Sequence, residues 1–284
     1  MKKSAAIPFY SLEERGRGFI EIRKLDSVHD DISSHPAHRD DNYILIYQES
    51  GVIHLMIDFQ EVVIEGAAIC CVHPGQVHFG ISATPGVGWF IAVDPVWIAD
   101  NYRQTLLGGT MQSNVLQIEA EQALLFRESI QLLGRISDSH SDQVHEQTLR
   151  SMLGVCVSLF CAAYQKKLNT ASHSGLRTAI ISRQFRSLLL THFRTIKSPS
   201  AYAGLMYISP VYLNEAVKGT TGHPVSYWIH EQVILEAKRL LFYTESTVKE
   251  IAFNLGYSDP TYLIRLFSKI AGCSPLQFRQ KYKG

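Results

Sequence analysis

The chain has 284 residues, of which 46% are hydrophobic and 19% are charged, and its formal net charge is +1. This length can bury two hydrophobic cores, and a nearly neutral total charge by itself argues against a nucleic-acid partner. The longest apolar run, Met152 to Tyr164, is shorter than the roughly 20 residues that span a bilayer, and no signal peptide is visible, so we expect a cytoplasmic protein without membrane contact.

The total charge conceals a division along the chain. From Gly175 to the end there are 14 lysines and arginines against six acidic residues, a balance of +8, whereas the remainder carries 13 against 20, a balance of −7. Basic charge on one half can neutralise phosphates, which favours nucleic-acid binding there over the alternative of an incidentally basic domain. The cysteines have no C-x-x-C spacing and lie in apolar segments, which is typical of small buried side chains in a reducing compartment: Cys70, Cys71, Cys156, Cys161 and Cys273.

The first predicted elements are strands. Short β-favouring runs alternate with turns, which indicates an antiparallel sandwich or barrel. The runs are Tyr43 to Tyr47, Val52 to Ile57, Glu61 to Ile64, Ala67 to Val72 and Trp89 to Val93. The phrase Pro74-Gly75-Gln76-Val77-His78 resembles the P-G-x-x-H turn of cupin barrels, so residues 1–110 are predicted to form a cupin-like sensory domain.

The mouth of such a barrel is a candidate small-molecule pocket, for which we select His38, Tyr43 and His78. Metal-binding cupins usually carry an H-x-H pair, which the phrase His35-Pro36-Ala37-His38-Arg39-Asp40-Asp41 lacks. Only His38, one of the two aspartates and His78 could converge, so pocket-lining histidines without a metal or another cofactor are expected. The alternative is a metal-dependent cupin enzyme with a DNA-binding tail.

Helical periodicity begins near Asn114. One helix is predicted from Val115 and Leu116 through Leu133, a second from Leu149 to Ala163, and a polar link between them from Gly134 to Asp142. Residues 111–168 are therefore a helical segment that pairs with a second subunit or, alternatively, only covers the barrel. The small polar residues of 169–177 indicate a linker to a domain at 178–284.

The last part of the chain has the pattern of a helix-turn-helix unit. Val248, Ile251, Ala252 and Leu255 fall at helical spacing, and Gly256 can end that helix with a left-handed residue. Asp259 and Pro260 suit the cap and first turn of a second helix. Its buried stripe is predicted to be Tyr262, Leu263, Leu266, Phe267 and Ile270, which leaves the opposite face free to enter a DNA major groove.

A similar pattern occurs 50 residues earlier in the chain. The matched pairs are Leu205 with Leu255, Tyr207 with Tyr257, Pro210 with Pro260, Tyr212 with Tyr262, Leu213 with Leu263, Val217 with Phe267, and Gly222 with Gly272. Between the two units, Pro224 to Phe242 has the spacing of one long helix. Internal repetition of caps, turns and core positions predicts two helix-turn-helix units built on one plan.

These residues resemble the DNA-binding domain of AraC/XylS-type bacterial transcription regulators. Ile251 to Arg279 follows the pattern I-A-x-x-x-G-[FY]-x-[DS]-x-x-Y-[FL]-x-R-x-F-x-K-x-x-G-x-S-P-x-x-[YF]-R, whereas the first unit departs from it at Met206, Glu215 and Val217. The resemblance implies an α+β multidomain protein with an amino-terminal antiparallel β-barrel, a helical segment and a carboxy-terminal all-α domain of two helix-turn-helix units joined by a long helix. It implies a transcription regulator, such as an activator, and not an enzyme. Its implied partners are a double-stranded DNA operator, a second copy of the chain, RNA polymerase and a small-molecule effector.

The outward positions of the second helix of each unit are the candidate DNA contacts. Arg265 can form two parallel bonds to guanine, or instead contact phosphate or bridge to Glu250, while Asn214 suits adenine and Val211 a thymine methyl. Five further basic residues are expected to be phosphate contacts or surface charges: Lys218, Lys269, Arg279, Lys281 and Lys283. The complete set is Ser209, Val211, Asn214 and Lys218 in the first unit and Asp259, Thr261, Ile264, Arg265, Ser268 and Lys269 in the second. A non-specific DNA-binding adaptor is the further alternative.

Overall fold

The fold is described from a computed structural model that defines residues 7–12, 18–26, 36–110, 114–139, 143–171 and 176–283. The backbone divides into two compact units. Among the described residues, one unit lies within 8–171 and the other within 176–283. Within the described ranges, no helix is both long enough and apolar enough to cross a membrane.

The amino-terminal unit is built on antiparallel sheets. Its described strands are β1 (Phe9–Tyr10), β2 (Ile20–Asp26), β3 (Arg39–Asp40), β4 (Tyr43–Gln48), β5 (Val52–Ile57), β6 (Gln60–Glu65), β7 (Ala68–Val72), β8 (His78–Ala83), β9 (Val87–Val93) and β10 (Val115–Gln117). A five-stranded sheet has the order β10-β7-β4-β9-β2, a three-stranded sheet the order β6-β5-β8, and β1 pairs in parallel with β3. The antiparallel amino-terminal fold and the α+β class are confirmed. The described strands fall into separate sheets, however, so they do not close into the barrel that the sequence predicts.

Strand β4 has a continuous apolar sequence without the polar alternation of a half-exposed strand. Leu45 and Tyr47 face a core shared with the helices of this unit, whereas Ile44 and Ile46 face the core between the sheets. The strand is buried on both faces, so no polar residue is needed on either side. The Tyr47 hydroxyl donates to the Ala123 carbonyl at 2.7 Å, which fixes the sheet to a helix.

The helices of this unit are α1 (Asp100–Thr110), α2 (Ala120–Asp138) and α3 (Gln143–Ala171). The sequence predicts that helix α2 starts at Val115. This is wrong, because Val115 and Leu116 pair with β7 as strand β10. The predicted polar link from Gly134 is also too long, because α2 continues to Asp138. The proposed linker at 169–177 overlaps the end of α3 and the first residues of the next helix, and its residues 172–175 lie outside the described residues.

The carboxy-terminal unit is helical throughout its described part. Its helices are α4 (Leu176–His192), α5 (Pro199–Leu205), α6 (Pro210–Thr221), α7 (Val225–Tyr243), α8 (Val248–Asn254), α9 (Pro260–Ala271) and α10 (Pro275–Lys283). One hydrophobic cluster contains buried residues from all of them. The long helix α7 contributes Ile229, Val233 and Ala237 to this cluster, and it lies between the two pairs α5–α6 and α8–α9 in sequence, as predicted. The unit therefore folds around a single core.

The two helix-turn-helix units match with two different offsets. The helices α6 and α9 begin at Pro210 and Pro260 and are both followed by a left-handed glycine, which confirms the offset of 50 for the second helices. The first helices match at an offset of 49, because the left-handed residue after α5 is Tyr207, with φ of 53°, and the one after α8 is Gly256, with φ of 80°. The predicted matches of Leu205 with Leu255, of Tyr207 with Tyr257 and of Met206 with the turn glycine are therefore wrong.

The backbone hydrogen bonds of the turns support this alignment. Ile208 donates to the Ala203 carbonyl at 3.1 Å, and Tyr257 donates to the Ala252 carbonyl at 2.9 Å. The second turn thus contains one residue more than the first. Tyr207 is 97% exposed and occupies a backbone region that costs a residue with a Cβ about 1–2 kcal/mol.

The segment after α4 packs against the turn of the second unit. A Cβ added to Gly256 would overlap the carbonyl oxygen of Arg194. The Lys197 ammonium donates to the carbonyls of Phe193 and Arg194 and lies 5.1 Å from the centre of the Tyr257 ring. This segment, residues 193–197, therefore requires glycine at the turn for a second reason besides its positive φ.

A buried carboxylate joins the same segment to α7. The Glu236 side chain is 1% exposed, and its two oxygens each lie 3.0 Å from a guanidinium nitrogen, one of Arg194 and one of Arg239. Arg239 is itself 6% exposed, whereas Arg194 is 48% exposed. The Glu236 carboxylate therefore matters most for Arg239, because a buried guanidinium charge is costly without a nearby negative charge.

Candidate nucleic-acid interface and ligand cavity

The second unit presents α9 on a frame that is capped at both ends. Thr247 and Glu250 form a capping box at the start of α8. Asp259 accepts a bond from the Thr261 backbone N–H at 2.9 Å, and this bond lowers the pKa of the Asp259 carboxyl. The prediction of Asp259 as an N-cap is confirmed, and its carboxylate is consequently engaged in holding the helix rather than free to contact a base.

The two faces of α9 differ sharply in exposure. Leu263, Leu266 and Phe267 are buried, as predicted, but Tyr262 is 52% exposed and does not belong to the buried stripe. The opposite face carries the exposed residues Thr261, Ile264, Arg265 and Lys269, with Ser268 half-buried. This is the amphipathic geometry that lets a helix pack on a core and still offer a reading face.

Arg265 stands out among these residues because its guanidinium has no hydrogen-bond or ion-pair partner in the described part of the chain. In addition to the cap bond, its charge lowers the pKa of the Asp259 carboxyl without a direct bond between the two groups. Glu250, its predicted alternative partner, instead accepts from the Thr247 backbone at 2.7 Å and from the Thr247 hydroxyl at 2.8 Å. Ser268 is different, because its hydroxyl donates to the Ile264 carbonyl of the same helix at 2.8 Å. Arg265 is therefore the polar side chain of α9 best placed for external readout.

A depression beside α9 adds residues that the sequence did not predict. It lies between α7 and α9, and His230 and Tyr227 of α7 line it together with Arg265 and Lys269. Burial lowers the pKa of His230, and the charge of Lys269 lowers it further against the opposing charge of Glu231, so the neutral imidazole is favoured. Tyr227 and His230 are three positions apart and therefore lie on one face of α7. Their position next to the exposed face of α9 depends on the packing of α7 against α9, which the sequence does not show.

The first unit offers fewer free polar groups. Ser209 caps α6 by accepting from the Tyr212 N–H at 3.1 Å, and Asn214 accepts with its side-chain oxygen from the Val225 N–H at 3.1 Å. A bidentate pair with adenine uses that oxygen as well, so the bond to Val225 fixes the direction in which the Asn214 amide can meet a base. Val211 is 73% exposed, and Glu215 and Lys218 are also exposed.

Arg279 has a structural role in place of the predicted phosphate or surface charge. Its guanidinium donates to the Leu241 carbonyl at 3.0 Å and to the Ser246 carbonyl at 2.5 Å. It therefore holds α10 against the end of α7.

The amino-terminal unit contains a cavity of about 630 Å³. Its walls are mostly apolar, and its polar lining residues are Tyr10, Glu21, Arg23, His38, Asp40 and His78. Two of the three predicted pocket residues are thus present. Tyr43 is not, because β4 places it in the core shared with the helices, where its ring packs against His73 at 5.4 Å. His38, Asp40 and His78 form the group of possible metal ligands within the described residues.

Comparisons with known proteins match both units. A family described as a helix-turn-helix domain matches residues 202–281, and a family described as an AraC-like ligand binding domain matches residues 26–153. The uncharacterised HTH-type transcriptional regulator YijO of Escherichia coli strain K12 is 24% identical over 80% of this chain and 83% of its own length. The arabinose operon regulatory protein of the same strain is 35% identical, over 25% of each chain. Among solved structures, the DNA-binding domain of AdpA in complex with a target DNA is 25% identical over 36% of this chain and 92% of its own, with a TM-score of 0.34.

Proposed function

Because this chain belongs to the AraC/XylS family of DNA-binding transcription regulators, we propose that α6 and α9 read two successive major-groove faces of one double-stranded operator. The observation that carries this proposal is the exposed Arg265, which has no hydrogen bond or ion pair among the described residues, on a helix with caps at both ends. A preorganised guanidinium can bond to guanine O6 and N7 without first breaking a bond within the protein. Lys269, with Tyr227 and His230 beside it, forms the adjoining surface for phosphates.

The two units are proposed to contribute unequally. In the first unit Asn214 is engaged with α7, and Glu215 places a negative charge on an exposed position that would repel phosphate. Val211 and Lys218 remain as an apolar base contact and a phosphate contact. Most of the base discrimination is therefore assigned to α9.

Replacing Arg265 with alanine is expected to weaken binding to the preferred operator roughly 10- to 100-fold, because one bidentate guanine contact contributes about 1–3 kcal/mol. The operator is first obtained by binding-site selection with the unchanged protein. Affinity is then measured at fixed salt for that operator and for variants with single base changes. The variant should lose its preference at one base pair.

Lys269→Ala is the matched control on the same helix. A phosphate contact should weaken binding to every sequence equally and reduce the salt slope by about one. The assignment of Arg265 to base readout fails if Arg265→Ala leaves the base preference unchanged. Selection that returns no preferred site would instead favour the non-specific adaptor.

We propose that the amino-terminal unit binds a small-molecule effector and that the chain acts as a regulator rather than as an enzyme. The cavity of about 630 Å³ with a few convergent polar groups supports this role. Contact with RNA polymerase and the direction of regulation stay predictions from the family resemblance.

We propose further that α2 pairs with α2 of a second copy of the chain. Leu124, Leu125 and Leu132 are 48%, 48% and 40% exposed, and at 100° per residue they lie on one side of the helix. Three leucines on one exposed helix face suit a self-complementary two-fold contact.

The double change Leu125→Glu and Leu132→Glu is therefore expected to weaken a dimer at least about 30-fold, since charges without partners would enter the interface. Sedimentation velocity over a concentration series measures the association. Val96→Glu changes a residue that is 79% exposed elsewhere in the unit and should leave association unchanged. A monomeric unchanged protein, or equal association of the double variant, would exclude this surface as the dimer contact.

A further inference from the structure

His38 and His78 face each other across a backbone bridge. The His38 N–H donates to the His78 carbonyl at 3.2 Å, and the His78 N–H donates to the His38 carbonyl at 3.0 Å. Residues paired in this way place their side chains on the same face of the sheet. Asp40 follows His38 by two positions, so its side chain returns to that face. The backbone alone therefore brings two imidazoles and a carboxylate together.

The proton positions of both imidazoles follow from their neighbours. Nδ1 of His38 lies 2.8 Å from the Pro36 carbonyl oxygen, and Nδ1 of His78 lies 3.2 Å from the Gln76 carbonyl oxygen. A carbonyl oxygen can only accept, so Nδ1 carries the proton in both rings. In the neutral imidazoles, Nε2 is then a lone-pair donor. Histidines that bind metals are typically held in this way through the other ring nitrogen.

The Nε2 atoms point toward the same carboxylate oxygen. Oδ2 of Asp40 lies 3.3 Å from Nε2 of His78 and 3.7 Å from Nε2 of His38. Ligands about 2.0–2.1 Å from a tetrahedral Zn²⁺ are separated by roughly 3.3 Å, whereas an octahedral ion brings neighbouring ligands closer, to about 3.0 Å. The observed separations match the tetrahedral arrangement better.

The burial of the group suits a metal with an open position. The side chains of His38, Asp40 and His78 are 11%, 4% and 12% exposed, and all three line the cavity of the amino-terminal unit. We propose that His38, Asp40 and His78 bind one Zn²⁺ ion whose fourth coordination position opens into this cavity. Three protein ligands with an open position leave room for an oxygen donor from water or from a bound small molecule. This inference reverses the expectation, drawn from the missing H-x-H pair, that the pocket holds no metal.

The test is a zinc titration of the full-length protein. The protein is stripped with a chelator, desalted and titrated with ZnCl₂ against a chromogenic competitor. One equivalent per chain is expected, together with a zinc-dependent rise in melting temperature, because an ion that binds the folded state stabilises it. Substitution with Co²⁺ in the unchanged protein gives a second readout, since its visible absorption distinguishes tetrahedral from octahedral coordination.

Removing a ligand is expected to lower the zinc affinity by more than about 100-fold, because even the loss of an outer hydrogen-bond partner costs 10–100-fold. Asp40→Asn and His78→Ala are the two variants, and circular dichroism of the zinc-free forms shows whether each is folded. His54→Ala is the matched control, because His54 also lies beside a carboxylate, 2.8 Å from Glu61, but its side chain is 34% exposed and lies outside the cavity lining. It should bind one equivalent with unchanged affinity.

Three results would overturn the zinc site. One is binding of less than about a tenth of an equivalent by the unchanged protein, which would leave an ordinary histidine–carboxylate pair. Another is unchanged affinity in both folded ligand variants. The third is an octahedral Co²⁺ spectrum or a preference for Fe²⁺ or Mn²⁺ over Zn²⁺, which would contradict the tetrahedral assignment.

Discussion

Gly256→Ala is expected to destabilise the carboxy-terminal unit by about 2–5 kcal/mol, from two separate causes. The left-handed backbone, with φ of 80°, costs a residue with a Cβ about 1–2 kcal/mol. The new methyl group would also overlap the carbonyl oxygen of Arg194, and such overpacking adds about 1–3 kcal/mol. Since that oxygen belongs to the backbone, no rotamer change can relieve the overlap.

Gly272→Ala separates the two causes. Gly272 has φ of 71°, but a Cβ there would meet no atom within 4 Å, so only the conformational cost of about 1–2 kcal/mol is expected. Denaturant unfolding followed by hydrogen exchange of peptides from α4, α8 and α9 measures both variants within the full chain. The packing argument fails if the two substitutions destabilise these peptides equally. Operator binding by Gly256→Ala should fall with the folded fraction.

Glu236→Gln is expected to destabilise the same unit by about 3 kcal/mol, because it removes a buried charge from two arginines. The amide would place an NH₂ group toward a guanidinium, where donor meets donor, and would leave Arg239 charged at a position that is 6% exposed. The effect should appear at neutral pH as a lower unfolding midpoint in urea.

Arg194→Gln is the control for the outer half of this network. Arg194 is 48% exposed, and its replacement leaves the Glu236–Arg239 pair intact. We therefore expect the free energy of unfolding to fall by no more than about 1 kcal/mol. If Arg194→Gln proves as damaging as Glu236→Gln, the burial of the inner pair is not the source of the stability.

The elements that the sequence predicted well are those encoded by near neighbours. Asp259 and Gly256 act through bonds or dihedrals within a few residues, so their roles can be predicted from type and spacing. The helix α7 also follows from local periodicity. The same holds for β4, whose run of apolar residues is short and bounded by turns.

The errors arose where distant residues decide the outcome. Val115 and Leu116 have a helical apolar spacing, yet pairing with β7 makes them a strand. Tyr43 has the composition of a pocket residue, but the register of β4 turns it into the core.

The candidate zinc ligands also could not be identified from sequence spacing alone. His38, Asp40 and His78 were among the residues that could converge, but the choice between Asp40 and Asp41 depends on which side chain returns to the face of His38. The ring orientations depend on carbonyls of Pro36 and Gln76. Neither is encoded in a spacing rule such as H-x-H.

The extra residue in the second turn bears on how the two helix-turn-helix units can be exchanged. Any transplant of α9 residues onto α6 must be aligned at the caps Ser209 and Asp259, whereas a transplant of α8 onto α5 must be aligned one position differently, at Ser198 and Thr247. If the units arose by duplication, one insertion or deletion between the two helices separated their numbering while leaving both cores intact. Designers of altered operator preference therefore have to treat each turn as a fixed part of its own unit.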